Sequence, residues 1–228
     1  MNTTEQTNEP GAARAVIWDV DGTLIDSGAL HFETWVTTLE QEGVAVTQQQ
    51  FQDTFGQRND AVLRVFLGPD LSEDDSTRIS DAKEVLYREL VRGRGIQALP
   101  GVRDWLQTLH AAGWRQAIAS SAPRANLDVI VEAMDIGKYF DAIVSADEVA
   151  VGKPDPAIFT LAAQRLGVDP ARSVVVEDAH VGLEGARRAG MRTVGVLSSH
   201  EALHADIVVA SLDLLPADAF DRLVDEHV

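Results

Sequence analysis

The stretch Trp18–Ser27 reads WDVDGTLIDS and continues directly from the apolar run Ala15–Trp18. The apolar run predicts a buried strand, and side chains two residues apart on a strand share one face, so Asp19 and Asp21 lie together. Two carboxylates this close are costly unless a positive group lies between them. A hard divalent cation with oxygen ligands, such as Mg²⁺, meets that need. The alternative is a strand that runs into an ordinary Asp-Gly turn without chemistry.

The composition indicates an ordinary globular protein. The chain has 228 residues, 45% of them hydrophobic and 24% charged, which is enough for a sizeable core in one or two domains. It has no cysteine, which excludes disulfides, thiolate metal sites and a cysteine nucleophile, and suits the reducing cytoplasm where we expect the protein. No apolar run approaches the ~20 residues of a membrane helix. Residues 1–11 are polar and predict a short disordered tail without a signal peptide.

The formal net charge of −17 limits the choice of partner. Such a chain repels polyanions, so nucleic acid and anionic membranes are poor candidates. A phosphorylated small molecule would need local attraction from a metal ion, a lysine or backbone N–H groups. We expect a monomer or a weak oligomer.

The order of predicted elements indicates an α/β fold with an insertion. Four helical segments follow the first strand and fill residues 27–93. After them, strands alternate with helices, which is typical of βαβ units and a parallel sheet. These later strands are predicted at 116–120, 142–145, 173–177, 192–197 and 207–210. We therefore predict a core from residues 12–26 and 94–228 and a helical cap over 27–93.

Polar residues follow several of the predicted strands, and ligands of open α/β sheets bind beyond the carboxyl ends of the strands. The residues at these ends are Asp19, Asp21, Thr23, Ser120, Ser121, Lys153, Glu177 and Asp178. Each one alone has an ordinary explanation as a helix cap, a solvated lysine or a polar turn. Four complementary groups at four strand ends are much harder to explain by coincidence.

These residue types have a definite combined chemistry. Asp19 is placed to attack phosphorus as a carboxylate nucleophile, and Asp21 can protonate the leaving oxygen and then activate the acceptor. Asp178, Asp19 and a backbone carbonyl near Asp21 can hold Mg²⁺. Lys153 and Ser120 can bind the phosphoryl oxygens that gain charge during transfer.

The order and spacing of these motifs resemble the haloacid dehalogenase superfamily, in its phosphohydrolase and phosphomutase branch. Asp19–Thr23 matches the first motif, Ser120 the second, Lys153 the third and Glu177-Asp178 the fourth. The resemblance implies a Rossmann-like core with a cap inserted after the first motif. The implied metal ligands are Asp19, Asp21, Glu177 and Asp178, and the implied phosphate-binding residues are Thr23, Ser120, Ser121 and Lys153. Dehalogenation is not implied, because that branch lacks the second aspartate.

Within the superfamily, the chain is most similar to the β-phosphoglucomutase-like subgroup with a helical cap. His31 matches a histidine near the acid/base aspartate, and Lys83 matches a cap lysine that reaches distal substrate groups. Arg58 lies in Gly56–Asn59, where the subgroup carries a specificity loop, and is a candidate for bidentate recognition of phosphate or sugar. That loop reads GQRN here in place of GVSR, and the second motif reads SSAPR, so the resemblance leaves phosphatase and mutase open.

The leading hypothesis is a Mg²⁺-dependent phosphatase of small phosphorylated metabolites, with sugar phosphates favoured, that acts through an aspartyl-phosphate. The main alternative is a phosphomutase of the β-phosphoglucomutase type, in which a substrate hydroxyl replaces water. A remote alternative is a non-catalytic phospho-aspartate signalling module like the response-regulator receivers, which are about half as long and place their acidic pair first. A dinucleotide-binding enzyme is rejected, because no Gly-x-Gly-x-x-Gly follows the first strand.

Overall fold

The structure is a computed structural model that describes residues 13–225, so the predicted tail over 1–11 lies outside the described residues. Six parallel strands form one sheet in the order β3-β2-β1-β4-β5-β6. The strands are β1 (Ala15–Trp18), β2 (Arg115–Ala119), β3 (Ala142–Val144), β4 (Ser173–Glu177), β5 (Arg192–Val196) and β6 (Ile207–Val209). The predicted parallel α/β sheet is therefore confirmed, with strand ends that differ by about one residue.

Helices cover both faces of this sheet. The helices are α1 (Gly28–Gln41), α2 (Gln48–Thr54), α3 (Asn59–Leu67), α4 (Glu73–Arg94), α5 (Val102–Ala111), α6 (Arg124–Met134), α7 (Ala157–Leu166), α8 (His180–Arg188) and α9 (Ala219–Asp225). Buried residues of α5, α6 and α9 form one apolar cluster with the sheet, and those of α7 and α8 form a second. Burial on both faces explains why the central strands are almost continuously apolar. Among residues 13–225, no helix combines the length and apolar character needed to cross a bilayer.

Helices α1 to α4 follow β1 in the chain and precede α5 and the other strands. They have an apolar cluster of their own. Its buried members are Trp35, Leu39, Phe51, Val62, Leu63 and Ile79. The division into a core and a helical cap over 27–93 remains our proposal. Helix α4 continues past the cap boundary predicted at residue 93 and ends at Arg94, and its C-cap residue Gly95 has a φ of +77°. Basic residues in the last turn favour this longer helix through the helix dipole.

Two short polar side chains at the starts of α1 and α3 make no capping bond and contact other side chains instead. Ser27 precedes α1 without a capping bond, because its hydroxyl donates to Asp21. Asn59 is the first residue of α3 and not its cap, and its side-chain amide donates to Glu84. The short polar residues near these helix starts therefore serve tertiary contacts that local sequence patterns do not reveal.

Candidate active site

The carboxyl ends of the central strands bring three acids together. Asp19 follows β1, Glu177 is the last residue of β4, and Asp178 follows it. All three are buried, and carboxylate oxygens of the three lie within 4.8 Å of one another. The register of the sheet aligns these ends, since Trp18 of β1 pairs with Val176 of β4. Neighbouring parallel strands thus build the cluster from residues that are far apart in the chain.

A buried lysine neutralises part of this acidic cluster. The Lys153 Nζ donates to Asp19 Oδ1 at 2.5 Å and to Glu177 Oε1 at 2.7 Å. Burial alone would lower the pKa of Lys153, but the charges and hydrogen bonds of Asp19 and Glu177 outweigh it, so the pKa is raised. The ammonium group is therefore charged throughout the physiological range. This places a permanent cation beside the candidate nucleophile.

The three acids still carry more negative charge than one lysine balances. Burial raises the pKa of Asp19 to about 8, with Lys153 opposing the rise and Glu177 adding to it. Burial, with the charge of Glu177, also raises the pKa of Asp178 well above its usual range. A divalent cation would favour the charged form of both groups. Clustered carboxylate oxygens are the donors that Mg²⁺ prefers, so these residues fit that ion.

Asp21 lies beside this cluster in a different environment. Its Oδ1 accepts a hydrogen bond from Ser27 Oγ at 2.6 Å and lies 3.0 Å from His31 Nε2. Burial would raise the pKa of Asp21, but His31 and Ser27 more than offset it and lower the pKa to about 2. Within residues 13–225, the metal-compatible cluster comprises the other three acids. The expected metal ligation by the Asp21 side chain is therefore not supported, whereas its backbone carbonyl stays a predicted ligand.

His31 connects Asp21 to a buried ion pair on α4. Its Nδ1 lies 2.9 Å from Lys83 Nζ, which donates to Glu84 Oε1 at 2.7 Å. The ring of Tyr87 stacks on His31 with centroids 4.2 Å apart. Sequence reasoning selected His31 and Lys83 but missed Glu84 and Tyr87. The available signal was the spacing of four between Lys83, Tyr87 and the apolar residues of α4, which places the lysine on the buried face.

Of three predicted phosphate-binding residues, two line a cavity and the third contacts an acid of the cluster. Ser120 and Ser121 line a cavity of about 50 Å³ together with Asp19, which leaves room for a few water molecules. Thr23 is fully buried, and its Oγ1 donates to Asp178 Oδ1 at 3.5 Å. The hydroxyl of Ser199, which sequence reasoning missed, donates to the other oxygen of Asp178. Thr23 therefore holds an acid of the cluster, and its predicted contact with phosphate is not supported.

Arg58 points away from the cavity. Its Nη1 donates to the carbonyl of Val149 at 2.8 Å, and its side chain packs where a Cβ at Gly152 would lie. The expected recognition of substrate by Arg58 is therefore not supported, because core carbonyls occupy its guanidinium. Of the described residues in this loop, the neighbours Gln57 and Asn59 line the cavity with neutral amides instead.

The fold and this site together define an enzyme of the α/β class with a buried acid–lysine centre, whose Asp19 lines a small cavity. The chain belongs to the haloacid dehalogenase-like hydrolases, whose family model matches residues 13–190. The phosphorylated carbohydrates phosphatase of Thermotoga maritima is 33% identical over 190 residues, which cover 81% of this chain and 86% of that protein. The protein is accordingly a phosphoryl-transfer hydrolase.

Solved structures agree with this membership. A β-phosphoglucomutase from Clostridium difficile, 24% identical, has the same fold with a TM-score of 0.83 and covers 94% of this chain and 98% of its own. A mutant of CbbY from Rhodobacter sphaeroides, crystallised with xylulose-(1,5)bisphosphate, is 27% identical with a TM-score of 0.82 and covers 89% and 96%. The Rossmann-like architecture predicted from the motifs is therefore confirmed.

Proposed function

We propose that this hydrolase is a Mg²⁺-dependent phosphatase of small phosphorylated metabolites, with sugar phosphates as the favoured class, and that it acts through an aspartyl-phosphate. The observation that carries the proposal is the position of Asp19, which lines the cavity and bonds to Lys153 beside two further acids. The name of the Thermotoga maritima relative supports phosphorylated carbohydrates as the substrate class.

The first step is attack of Asp19 on phosphorus. A carboxylate oxygen of Asp19 forms a bond to phosphorus, and the bond to the leaving oxygen breaks. Asp21 supplies the proton to that oxygen. Asp21 is ionised in the substrate-free protein, and an incoming phosphate dianion disfavours a second negative charge beside it, so binding favours its protonation. Ser27 Oγ and His31 Nε2 lie 2.6 Å and 3.0 Å from Asp21 Oδ1, so the proton can reach Asp21 through either group.

The second step is hydrolysis of the aspartyl-phosphate. Asp21 is now a carboxylate and accepts a proton from a water molecule, whose oxygen bonds to phosphorus while the bond between Asp19 and phosphorus breaks, which releases inorganic phosphate and restores the Asp19 carboxylate. Lys153 and Ser120 bind the phosphoryl oxygens in both steps. Asp19, Asp178 and the backbone near Asp21 would hold Mg²⁺, which when bound neutralises charge on the phosphoryl group. Glu177 orients Lys153 and accepts from the Ala179 amide at 2.8 Å.

The test is release of inorganic phosphate from a panel of sugar phosphates, with Mg²⁺ and with a chelator. Wild type is expected to turn over with Mg²⁺ only, and Asp19→Asn to fall below about a thousandth of its rate with the fold retained. Asp26→Asn is the matched control, since it makes the same change at an exposed residue of the same segment. Turnover by Asp19→Asn, or full activity in the chelator, would refute the proposal.

A phosphomutase is the second candidate, and the small volume of the cavity, about 50 Å³, favours it because a mutase must keep water from the intermediate. It uses the same core residues. Isomerisation of β-glucose 1-phosphate to glucose 6-phosphate, primed by a bisphosphate and faster than phosphate release, would select it. The non-catalytic signalling alternative is wrong, because the chain belongs to a hydrolase family.

A further inference from the structure

Residues of α1 to α4 line one side of the cavity, which we call its helical wall. Of the described residues in this wall, Lys83 is the one lysine, and the carboxylate of Glu84 neutralises its charge. Lys83 and Glu84 are 1% and 5% exposed, and their charged atoms lie 2.7 Å apart. Lys83 Nζ also lies 2.9 Å from His31 Nδ1, so the imidazole ring occupies a second hydrogen-bonding position of the ammonium group. Burial would raise the pKa of Glu84, but the charges of Lys83 and His31 lower it, so the carboxylate stays ionised. The pair therefore presents no net charge to a ligand.

The loop before α3 adds no cation to this wall. The guanidinium of Arg58 is held by core carbonyls, as described above, and Gln57 and Asn59 supply neutral amides. Asn59 further donates to Glu84 Oε1 at 2.8 Å. A phosphate bound at this end would need unoccupied, charge-assisted donors. Of the described residues that line the cavity, none on the helical side offers an unpaired cation.

The approach to the cavity is acidic as well. An outer cleft of about 600 Å³ adjoins the cavity and shares Asn59, Glu84 and Ser121 with it. Five carboxylates line this cleft against two guanidinium groups, namely Asp60, Glu73, Asp81, Glu84 and Asp147 against Arg58 and Arg88. The guanidinium of Arg88 donates to Asn126 Oδ1 at 2.9 Å. Asp60, Glu73 and Glu84 form ion pairs with Arg58, Arg64 and Lys83, so the repulsion of an additional phosphate comes from Asp81 and Asp147.

We propose that the substrate is a monophosphate whose end remote from the phosphate is uncharged, and that Glu84 enforces this preference by neutralising Lys83. This inference rests on the proposed phosphatase function. Hydroxyl groups of a polyol can accept from the amide N–H groups of Gln57 and Asn59 and donate to their carbonyl oxygens, whereas Glu84 already accepts from Lys83, Asn59 and Asn126. The CbbY neighbour was crystallised with a bisphosphate, so the fold itself admits two phosphates and the selection lies in these side chains.

The test measures competition against hydrolysis of p-nitrophenyl phosphate by the full-length protein with Mg²⁺. The competitors are two matched pairs: glucose 6-phosphate with glucose 1,6-bisphosphate, and fructose 6-phosphate with fructose 1,6-bisphosphate. For wild type, at least one monophosphate is expected to bind about tenfold or more tightly than its bisphosphate. Bisphosphates that bind as tightly as their monophosphates, or no competition from either, overturn the inference. Loss of all p-nitrophenyl phosphate turnover would instead contradict the proposed function.

Two variants test the role assigned to the ion pair. Glu84→Gln keeps the shape of the side chain and frees the charge of Lys83, so the preference should shift toward bisphosphates by about tenfold. Glu89→Gln makes the same change at an exposed residue of α4 and should leave the preference unchanged. Gln57→Lys adds a cation to the same wall without removing a buried group, and should shift the preference in the same direction. An unchanged preference in Gln57→Lys and in folded Glu84→Gln contradicts the assignment.

Discussion

Asp19 and Asp21 are two positions apart in the chain and have opposite electrostatic surroundings. Asp19 faces two further buried acids, and burial raises its pKa to about 8. Burial acts on Asp21 as well, but His31 and Ser27 outweigh it and lower the pKa to about 2. Two carboxyl groups with separated pKa values can take separate roles in one reaction. The nucleophile and the acid/base proposed here follow from that difference.

Asp21→Asn tests the acid/base role through the leaving group. Glucose 6-phosphate leaves as a poor alkoxide that needs a proton, whereas p-nitrophenolate leaves without one. We expect kcat/KM for glucose 6-phosphate to fall about 10²-fold or more and that for p-nitrophenyl phosphate to fall far less. Equal losses on both substrates would show that Asp21 does not protonate the leaving oxygen. Asp26→Asn serves again as the exposed control.

The raised pKa of Asp19 predicts a pH dependence of stability when divalent cations are chelated. The folded group keeps its proton up to about pH 8, whereas the reference carboxyl loses it near 3.8. The folded state therefore binds more protons between these values, and the free energy of unfolding falls as pH rises. Between about pH 5 and pH 8, the free energy of unfolding should decrease by at least about 1 kcal/mol less in Asp19→Asn than in wild type. Denaturant titrations measure it, and equal slopes in both proteins would contradict it.

At the scale of elements, the loop between α2 and α3 is held against the segment that follows β3. Arg58 makes this contact through Val149, and its alkyl chain covers Gly152, the residue before Lys153. Only a residue without a Cβ allows this approach, since an added Cβ would lie 2.5 Å from Arg58 Cδ. The arginine therefore joins the α2–α3 loop to the segment that carries Lys153.

Arg58→Ala should therefore weaken catalysis on all substrates alike. Removal of the contact loosens the closed arrangement around Lys153, and we expect kcat/KM to fall about tenfold on p-nitrophenyl phosphate and on sugar phosphates equally. Arg64→Ala in α3 is the control, since its ion pairs with Asp60 and Glu73 are largely exposed and contribute little. A loss confined to sugar phosphates would instead indicate that Arg58 contacts substrate.

At the scale of the whole molecule, a chain of net charge −17 encloses a buried acidic centre. Mg²⁺ that binds the folded state alone stabilises it by mass action, by about 2.7 kcal/mol at a concentration of 100 Kd. We expect Mg²⁺ to raise the Tm of wild type but not that of Asp178→Asn. Sodium chloride at equal ionic strength is the control, since it screens the surface charge without binding the site. An equal rise with sodium chloride would contradict a specific metal site.

Much of the architecture was predictable because it depends on the local periodicity of apolar residues and on the geometry of parallel strands. The alternation of apolar strands and helices after Leu99 predicted the parallel sheet, and the carboxyl ends of parallel strands meet at one edge. Asp19, Ser120 and Asp178 could therefore be assigned to one site from their positions in the sequence. The register of the sheet, in which Trp18 pairs with both Ile118 and Val176, accounts for the proximity of these residues.

The sequence by itself therefore determined the fold class and the set of residues at the strand ends. Only the tertiary structure decided which partner each side chain takes: Arg58 bonds to core carbonyls, Thr23 to Asp178, and Lys83 to Glu84. The physical reason is that backbone periodicity follows from neighbouring residues, whereas a charged side chain selects among acceptors that packing brings near. Arg58 and Val149 are 91 residues apart in the chain, and no local pattern carries information about such a contact.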